Sequence, residues 1–128
     1  MITYYEHLKH GQFYLLLVLF ARFGLTPNPG EILTQTNDLA LHFSGYTIAG
    51  ISMGLSKPVL PHWQRFVFLW LYSLAIEVGQ QYVPNRGFDL LDLLANGSGV
   101  ILGLILYQWL ARPIDRAITK AIAPNQKG

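Results

Sequence analysis

Four apolar stretches, each close to twenty residues and parted by short polar breaks, constrain this chain more than any other feature. They centre on FYLLLVLF (13–20), LALHFSGYTIAGISMGLS (39–56), FVFLWLYSLAIEVG (66–79) and GVILGLILYQWL (99–110). A helix rising 1.5 Å per residue needs about twenty residues to cross a hydrocarbon layer of about 30 Å. The pattern therefore predicts an all-α fold, a four-helix transmembrane bundle with spans at about 8–25, 38–56, 62–83 and 88–110, in one integral membrane domain covering residues 1–128. TPNPGE (26–31), KPVLP (57–61) and VPNRG (83–87) supply the turns. Arg112–Pro113 is expected to end the fourth span, with Asp115–Lys120 a short interfacial helix beyond it.

The rest of the composition excludes several classes. Apolar residues make up 52% and charged residues 12%, against a charged share of about 25% in soluble domains. With no cysteine, thiolate metal sites and cysteine nucleophiles are excluded. A net charge of +2 without a basic stripe argues against nucleic acid. MITYYEHLKHGQ carries an acid and no small-x-small site follows the first apolar run, so no cleavable signal peptide is expected.

Orientation follows from the basic residues. Lys9, Lys57, Arg65, Arg112, Arg116, Lys120 and Lys127 fall at one end of the expected bundle, and Arg22 and Arg86 at the other. The positive-inside tendency puts both termini in the cytoplasm of a multi-pass protein of the plasma (inner) membrane.

The strongly polar residues of the spans then reach a single level, the outer third of the bilayer. Asp38 and His42 are four apart; Glu77 and Gln80 or Gln81 are three or four apart; Asp89, Asp92 and Asn96 fall at i, i+3 and i+7. Each set shares one helical face. An ionisable side chain at a helix centre costs about 2.5–3.5 kcal/mol on insertion scales. These groups are therefore expected to turn inward around a small polar pocket, with Arg86, and Arg22 beside it, facing the acids. Glu77, with no cap position and no basic partner on its own helix, is expected to pair with Arg86.

Plainer roles compete for several of them. Asp38, Asp89 and Asp92 open helices, where carboxylates cap amides and favour the dipole. Arg86 sits in a turn, and Asn96 can join helices as packing glue. Gly50-x-x-x-Gly54 and Gly99-x-x-x-Gly103 read as helix-packing sites. Tyr4, Tyr5, Trp63, Tyr82, Tyr107 and Trp109 read as interfacial aromatics. His7 and His10 share a face but lack a third ligand, so no metal site and no cofactor is expected.

NDLALHFSGY (37–46), EVGQ (77–80) and VPNRGFDLLDLLANGSG (83–99) together resemble the VanZ-like family of small polytopic membrane proteins. The likeness spans Asn37 to Gly103 and rests on D-x-x-x-H-F, E-x-x-Q and P-x-R-x-x-D-x-x-D-x-x-x-N-x-x-G. Leu39 departs from the family's usual lysine, with Arg22 the candidate substitute. The resemblance implies that Asp38, His42, Glu77, Gln80, Arg86, Asp89, Asp92 and Asn96 are the family positions. It also implies a role of the kind for which the family is named, resistance to a glycopeptide antibiotic.

The leading expectation is a pocket that binds a lipid head group, a lipid-linked envelope precursor or an amphiphilic antibiotic, with Arg86 engaging the anion. One alternative is a membrane hydrolase or transferase with His42 as general base and the carboxylates orienting it or holding a divalent cation, although no nucleophile elbow or HExxH motif is present. The other is a non-catalytic accessory subunit packed against a larger membrane protein complex. Membrane lipids are the expected partners in every case.

Overall fold

The computed structural model describes residues 1–27 and 38–124, with the backbone alone for Asp38. The described residues are all helical and include no strand. Helix α1 runs Ile2–Gly24, α2 Asp38–Ser56, α3 His62–Gln80 and α4 Leu90–Leu106. Beyond Pro27, the TPNPGE break lies outside the described residues, as does Lys127.

Local chemistry explains where each helix stops. The Leu25 amide closes α1 on the Ala21 carbonyl at 3.0 Å, and the Thr26 hydroxyl donates back to the Arg22 carbonyl. After α2, Pro58 and Pro61 deny the chain amide hydrogens, and Pro61 enters α3 from extended backbone (φ −65°, ψ 152°). The Lys57 carbonyl just past the end of α2 accepts from Arg65 Nη2 at 2.8 Å and Nε at 3.0 Å. A cation there satisfies an orphan acceptor and complements the helix dipole. Between α3 and α4, Asn85 takes φ 63°, a left-handed conformation asparagine tolerates better than most residues.

At the C-terminal end the expected further helix is present, with one difference. The chain does not break at Arg112–Pro113: a π-turn over Tyr107–Ala111 leads directly into α5, Arg112–Ile122. Proline lacks an amide hydrogen and crowds the carbonyl four residues back, and the widened turn just before it absorbs that misfit. The result is a continuous 33-residue helix, Leu90–Ile122, long and apolar enough by length and composition to cross a membrane; it is the one such helix among the described residues. At its far end the Asp115 carboxylate accepts from the Tyr5 hydroxyl at 2.8 Å and pairs with Lys9 at 3.2 Å. Burial, and then the Asp115 carboxylate beside it, push the Tyr5 phenol up.

Side-chain contacts between ends show that the helices alternate in direction. His10 on α1 meets Ser56 at the end of α2 at 3.1 Å, and Gln80 at the end of α3 donates to the Gly24 carbonyl at the end of α1 at 3.0 Å. Helices α2 and α4 therefore run parallel, and they form the most extensive pair. Glycine permits this. A methyl group added to Gly50 would stand 2.8 Å from the Val100 carbonyl oxygen and 3.0 Å from Gly103 Cα. Added to Gly103 or Gly99, it would collide with the carbonyls of Thr47 and Phe43, and Gly54 lies flat against the Tyr107 ring.

The interior has three tiers. Phe13, Tyr46, Ala49, Met53, Leu69, Val100 and Leu104 fill the middle. At one end lie buried Lys9, Ser52, Ser56 and Arg65; at the other, Glu77, Gln80 and Asn96. Tyr107 departs from its expected place in an interfacial belt: it is 2% exposed, with the Arg65 guanidinium 5.2 Å from its ring centroid. Trp63, Trp109, Tyr4 and Tyr82 are exposed.

The seam between α2 and α4 predicts a sharp contrast among glycine variants. Gly50→Val and Gly103→Val should each lose about 1–3 kcal/mol through overpacking, read as a lower thermal midpoint in detergent. Gly11→Ala, with nothing within 4 Å of the added carbon, should melt at or slightly above the wild-type temperature.

Candidate functional site

His42 lies in the second turn of α2, Glu77 in the last turn of α3, and Asp92 and Asn96 in the first two turns of α4. The parallel register of α2 and α4 brings them together. His42 Nδ1 stands 2.8 Å from Asn96 Oδ1. An amide oxygen only accepts, so Nδ1 carries the hydrogen in this pair, and in the neutral imidazole the lone pair is on Nε2. Nε2 faces Asp92 Oδ2 at 3.5 Å, and Nδ1 lies 3.9 Å from Glu77 Oε1.

Glu77 is fully buried. Its Oε2 accepts from the Asp89 amide at 3.4 Å, and its Oε1 has no hydrogen-bond partner among the described residues. Buried carboxylate oxygens are costly without a donor or a cation, so this orphan atom asks for an explanation. His42, Glu77 and Asp92 each offer one ligand atom within 4.8 Å of the others, a donor set of one imidazole and two carboxylates.

Beside the cluster opens a cleft of about 160 Å³, lined by Phe20, Phe23, Gly24, Leu41, His42, Gly45, Tyr46, Ile76, Gln80 and Arg86. Its walls are aromatic and aliphatic, with Phe20 and Tyr46 in contact at 5.2 Å between centroids. Polar groups enter at His42, Gln80 and Arg86. The Arg86 guanidinium donates through Nη2 to the Gly24 carbonyl at 3.3 Å, alongside Gln80. Two donors thus cap the carboxyl end of α1 and tie the turn between α3 and α4 to it.

The eight expected pocket residues divide. His42, Glu77, Asp92 and Asn96 meet in one cluster. Gln80 and Arg86 form a second group at the cleft, linked to the first through His42 as a shared wall. Asp89 departs from the pocket: its exposed carboxylate caps α4 by accepting from the Leu91 amide at 2.8 Å. The side chain of Asp38 lies outside the described residues. The expected pairing of Glu77 with Arg86 is replaced by His42 and the Asp89 amide, because the turn holds the guanidinium over the α1 terminus instead. Arg22, the candidate substitute for the family lysine, is exposed.

Some participants escaped the sequence reading. Phe20, Phe23, Tyr46 and Ile76 form the cleft wall, yet their spacing is that of ordinary core or lipid-facing positions. The Gly24 carbonyl is a backbone acceptor that no side-chain pattern announces. His7 and His10 are engaged elsewhere, His7 with the Thr3 carbonyl at 2.6 Å and His10 with Ser56.

Comparison with known proteins adds one result. The family model described as VanZ/LLP1 matches residues 7–111. No curated protein and no solved structure matches significantly.

The cluster predicts unequal effects of two neighbouring changes. Asn96→Leu should leave the His42 N–H without its acceptor and cost about 1–3 kcal/mol, with the imidazole nitrogen resonances displaced. Asp89→Ala should cost about 0.5–2 kcal/mol through the lost cap while those resonances hold their positions.

Proposed function

The chain belongs to the VanZ/LLP1 family, and we propose that it is a four-span membrane protein whose outer cleft binds an anionic lipid head group. The observation that carries this reading is the cleft itself. At about 160 Å³ it is smaller than the roughly 300–1,000 Å³ of pockets that enclose whole drug-sized ligands. It suits one polar group of an amphiphile whose remainder stays outside, against apolar walls and in lipid.

Arg86 is the anion-recognising residue. Guanidinium matches phosphate and carboxylate geometry, and among the described residues Arg86 bonds through Nη2 to the Gly24 carbonyl. No carboxylate pairs with it within salt-bridge distance among the described residues. Gln80 and His42 contribute further polar atoms to the same cleft.

A lipid setting is supported by the distribution of side chains. Leu15, Val18, Ile48, Leu71, Leu94 and Ile101 all face outward, while Lys9, Arg65, Glu77, Gln80 and Asn96 face inward. Helices of 17–23 residues measure about 26–35 Å, close to the hydrocarbon thickness. Among the described residues only the continuous helix Leu90–Ile122 is long and apolar enough by length and composition to cross a membrane; α3 carries Arg65 and Glu77, both buried within the bundle. On the positive-inside tendency, the end bearing Lys57, Arg112 and Arg116 lies in the cytoplasm, and the cleft opens outward.

Two experiments test this reading. With no natural cysteine, single replacements report topology: an impermeant maleimide should label Asn85→Cys in intact cells and leave Val59→Cys unlabelled. The reverse pattern would refute an outward cleft. Purified protein titrated with short-chain phosphatidic acid should bind it, with affinity falling about 10- to 100-fold in Arg86→Ala, the range set by a charge-assisted hydrogen bond. Arg112→Ala, at the other end, should bind as wild type. Equal binding by Arg86→Ala would overturn the assignment.

A further inference from the structure

We infer that His42, Glu77 and Asp92 form a binding site for one divalent transition-metal cation, with Asn96 as the positioning residue that sets the histidine tautomer. Three independent features of the cluster converge on a cation.

The first is spacing. The three ligand atoms lie within 4.8 Å of one another, and His42 Nε2 and Asp92 Oδ2 are 3.5 Å apart. Ligands about 2.0–2.2 Å from a zinc-like ion at tetrahedral angles are separated by about 3.4 Å. One edge of such a polyhedron is already formed, and Glu77 Oε1 lies 3.9 Å from the same imidazole, at Nδ1.

The second is the orphan oxygen. Glu77 Oε1 is fully buried, faces the cluster and lacks a hydrogen-bond partner among the described residues. Its sister Oε2 is held by the Asp89 amide, so the carboxylate is oriented at one oxygen and unsatisfied at the other. A cation bound at Oε1 would satisfy it.

The third is the tautomer. Nδ1–H donates to Asn96 Oδ1 at 2.8 Å, which turns Nε2 toward a carboxylate oxygen, lone pair to lone pair in the neutral imidazole. Two lone pairs facing each other repel unless a positive charge lies between them. Metal-bound histidines characteristically donate their other nitrogen to an oxygen acceptor in this way, which fixes the ring and raises its basicity.

The donor set names the class of ion. One imidazole with two carboxylates and no thiolate suits Zn²⁺, Mn²⁺ or Fe²⁺ rather than Cu(I). Two carboxylates also neutralise a divalent charge, which a low-dielectric interior requires. Three protein ligands leave at least one coordination position, and His42 is also a wall of the cleft. The site rests on the cluster alone and stands whether or not the cleft takes a head group.

Full-length protein in detergent, stripped with a chelator and dialysed, is titrated with Zn²⁺ against a chromophoric competitor. One equivalent should bind, and X-ray absorption should show an oxygen and nitrogen shell containing a single imidazole. Glu77→Gln and Asp92→Asn should each weaken binding at least tenfold. Asn96→Leu should weaken it about 10- to 100-fold, and Asn96→Asp, which still accepts from Nδ1–H, should restore it. His10→Gln should bind as wild type.

Helicity and thermal midpoint are recorded for every variant. Asp92→Asn, at the partly exposed edge of the cluster, carries the test if Glu77→Gln fails to fold. Absence of Zn²⁺ binding by the wild type, or undiminished binding by a folded Asp92→Asn or His42→Gln, would overturn the site in favour of a proton shared between His42 and the carboxylates. Loss of metal binding with phosphatidic acid binding intact would refute this inference alone.

Discussion

The structure depends on how closely α2 and α4 approach. Four glycines, Gly50, Gly54, Gly99 and Gly103, remove the side chains that would hold these helices apart, and backbone carbonyls on each helix lie where a Cβ would otherwise be. Small residues at such a seam let helix backbones approach closely enough for extensive van der Waals contact. The seam also sets register. Gly50 opposite Gly103 and Gly54 opposite Tyr107 place His42, two turns before Gly50, level with Asn96, two turns before Gly103. A slip of one turn along the seam would part that pair.

The remaining helices use the interior differently at its two ends. At one, basic groups are matched to acceptors: Arg65 to the Lys57 carbonyl and the Tyr107 ring, Lys9 to Glu6 at 2.9 Å and to Asp115. Gln12 and Ser52 bond each other there, the Ser52 hydroxyl donating to Gln12 Oε1 at 2.6 Å. At the other end, carboxylates confront the His42 imidazole and one buried oxygen has no donor among the described residues. A fully satisfied polar end holds helices together and needs nothing more. The end with the unpartnered oxygen is also the one at which the cleft opens.

The same comparison separates structural from recognising roles among polar residues that look alike in sequence. Asp89 and Asp92 are three residues apart in one motif, yet the first caps α4 from an exposed position and the second faces His42. Arg86 has a double character. One nitrogen closes the carboxyl end of α1, and the same side chain forms part of the cleft wall.

Much of this was legible in the sequence because hydropathy and helical spacing are local properties. Four apolar stretches bounded by proline and glycine mark four helices whatever they pack against, and the motifs around His42, Glu77 and Asn96 mark the polar level. The continuity of the last helix through Pro113 was not legible, since proline signals a break unless a π-turn takes up the misfit. Nor were the partners. Glu77 with His42 rather than Arg86, Tyr107 inside rather than at an interface, and a cleft walled by Phe20 and Tyr46 all depend on the rotation and register of whole helices. Those were decided only by tertiary packing, because a helix presents every side chain at a known angle but learns which angle faces a neighbour from the neighbour itself.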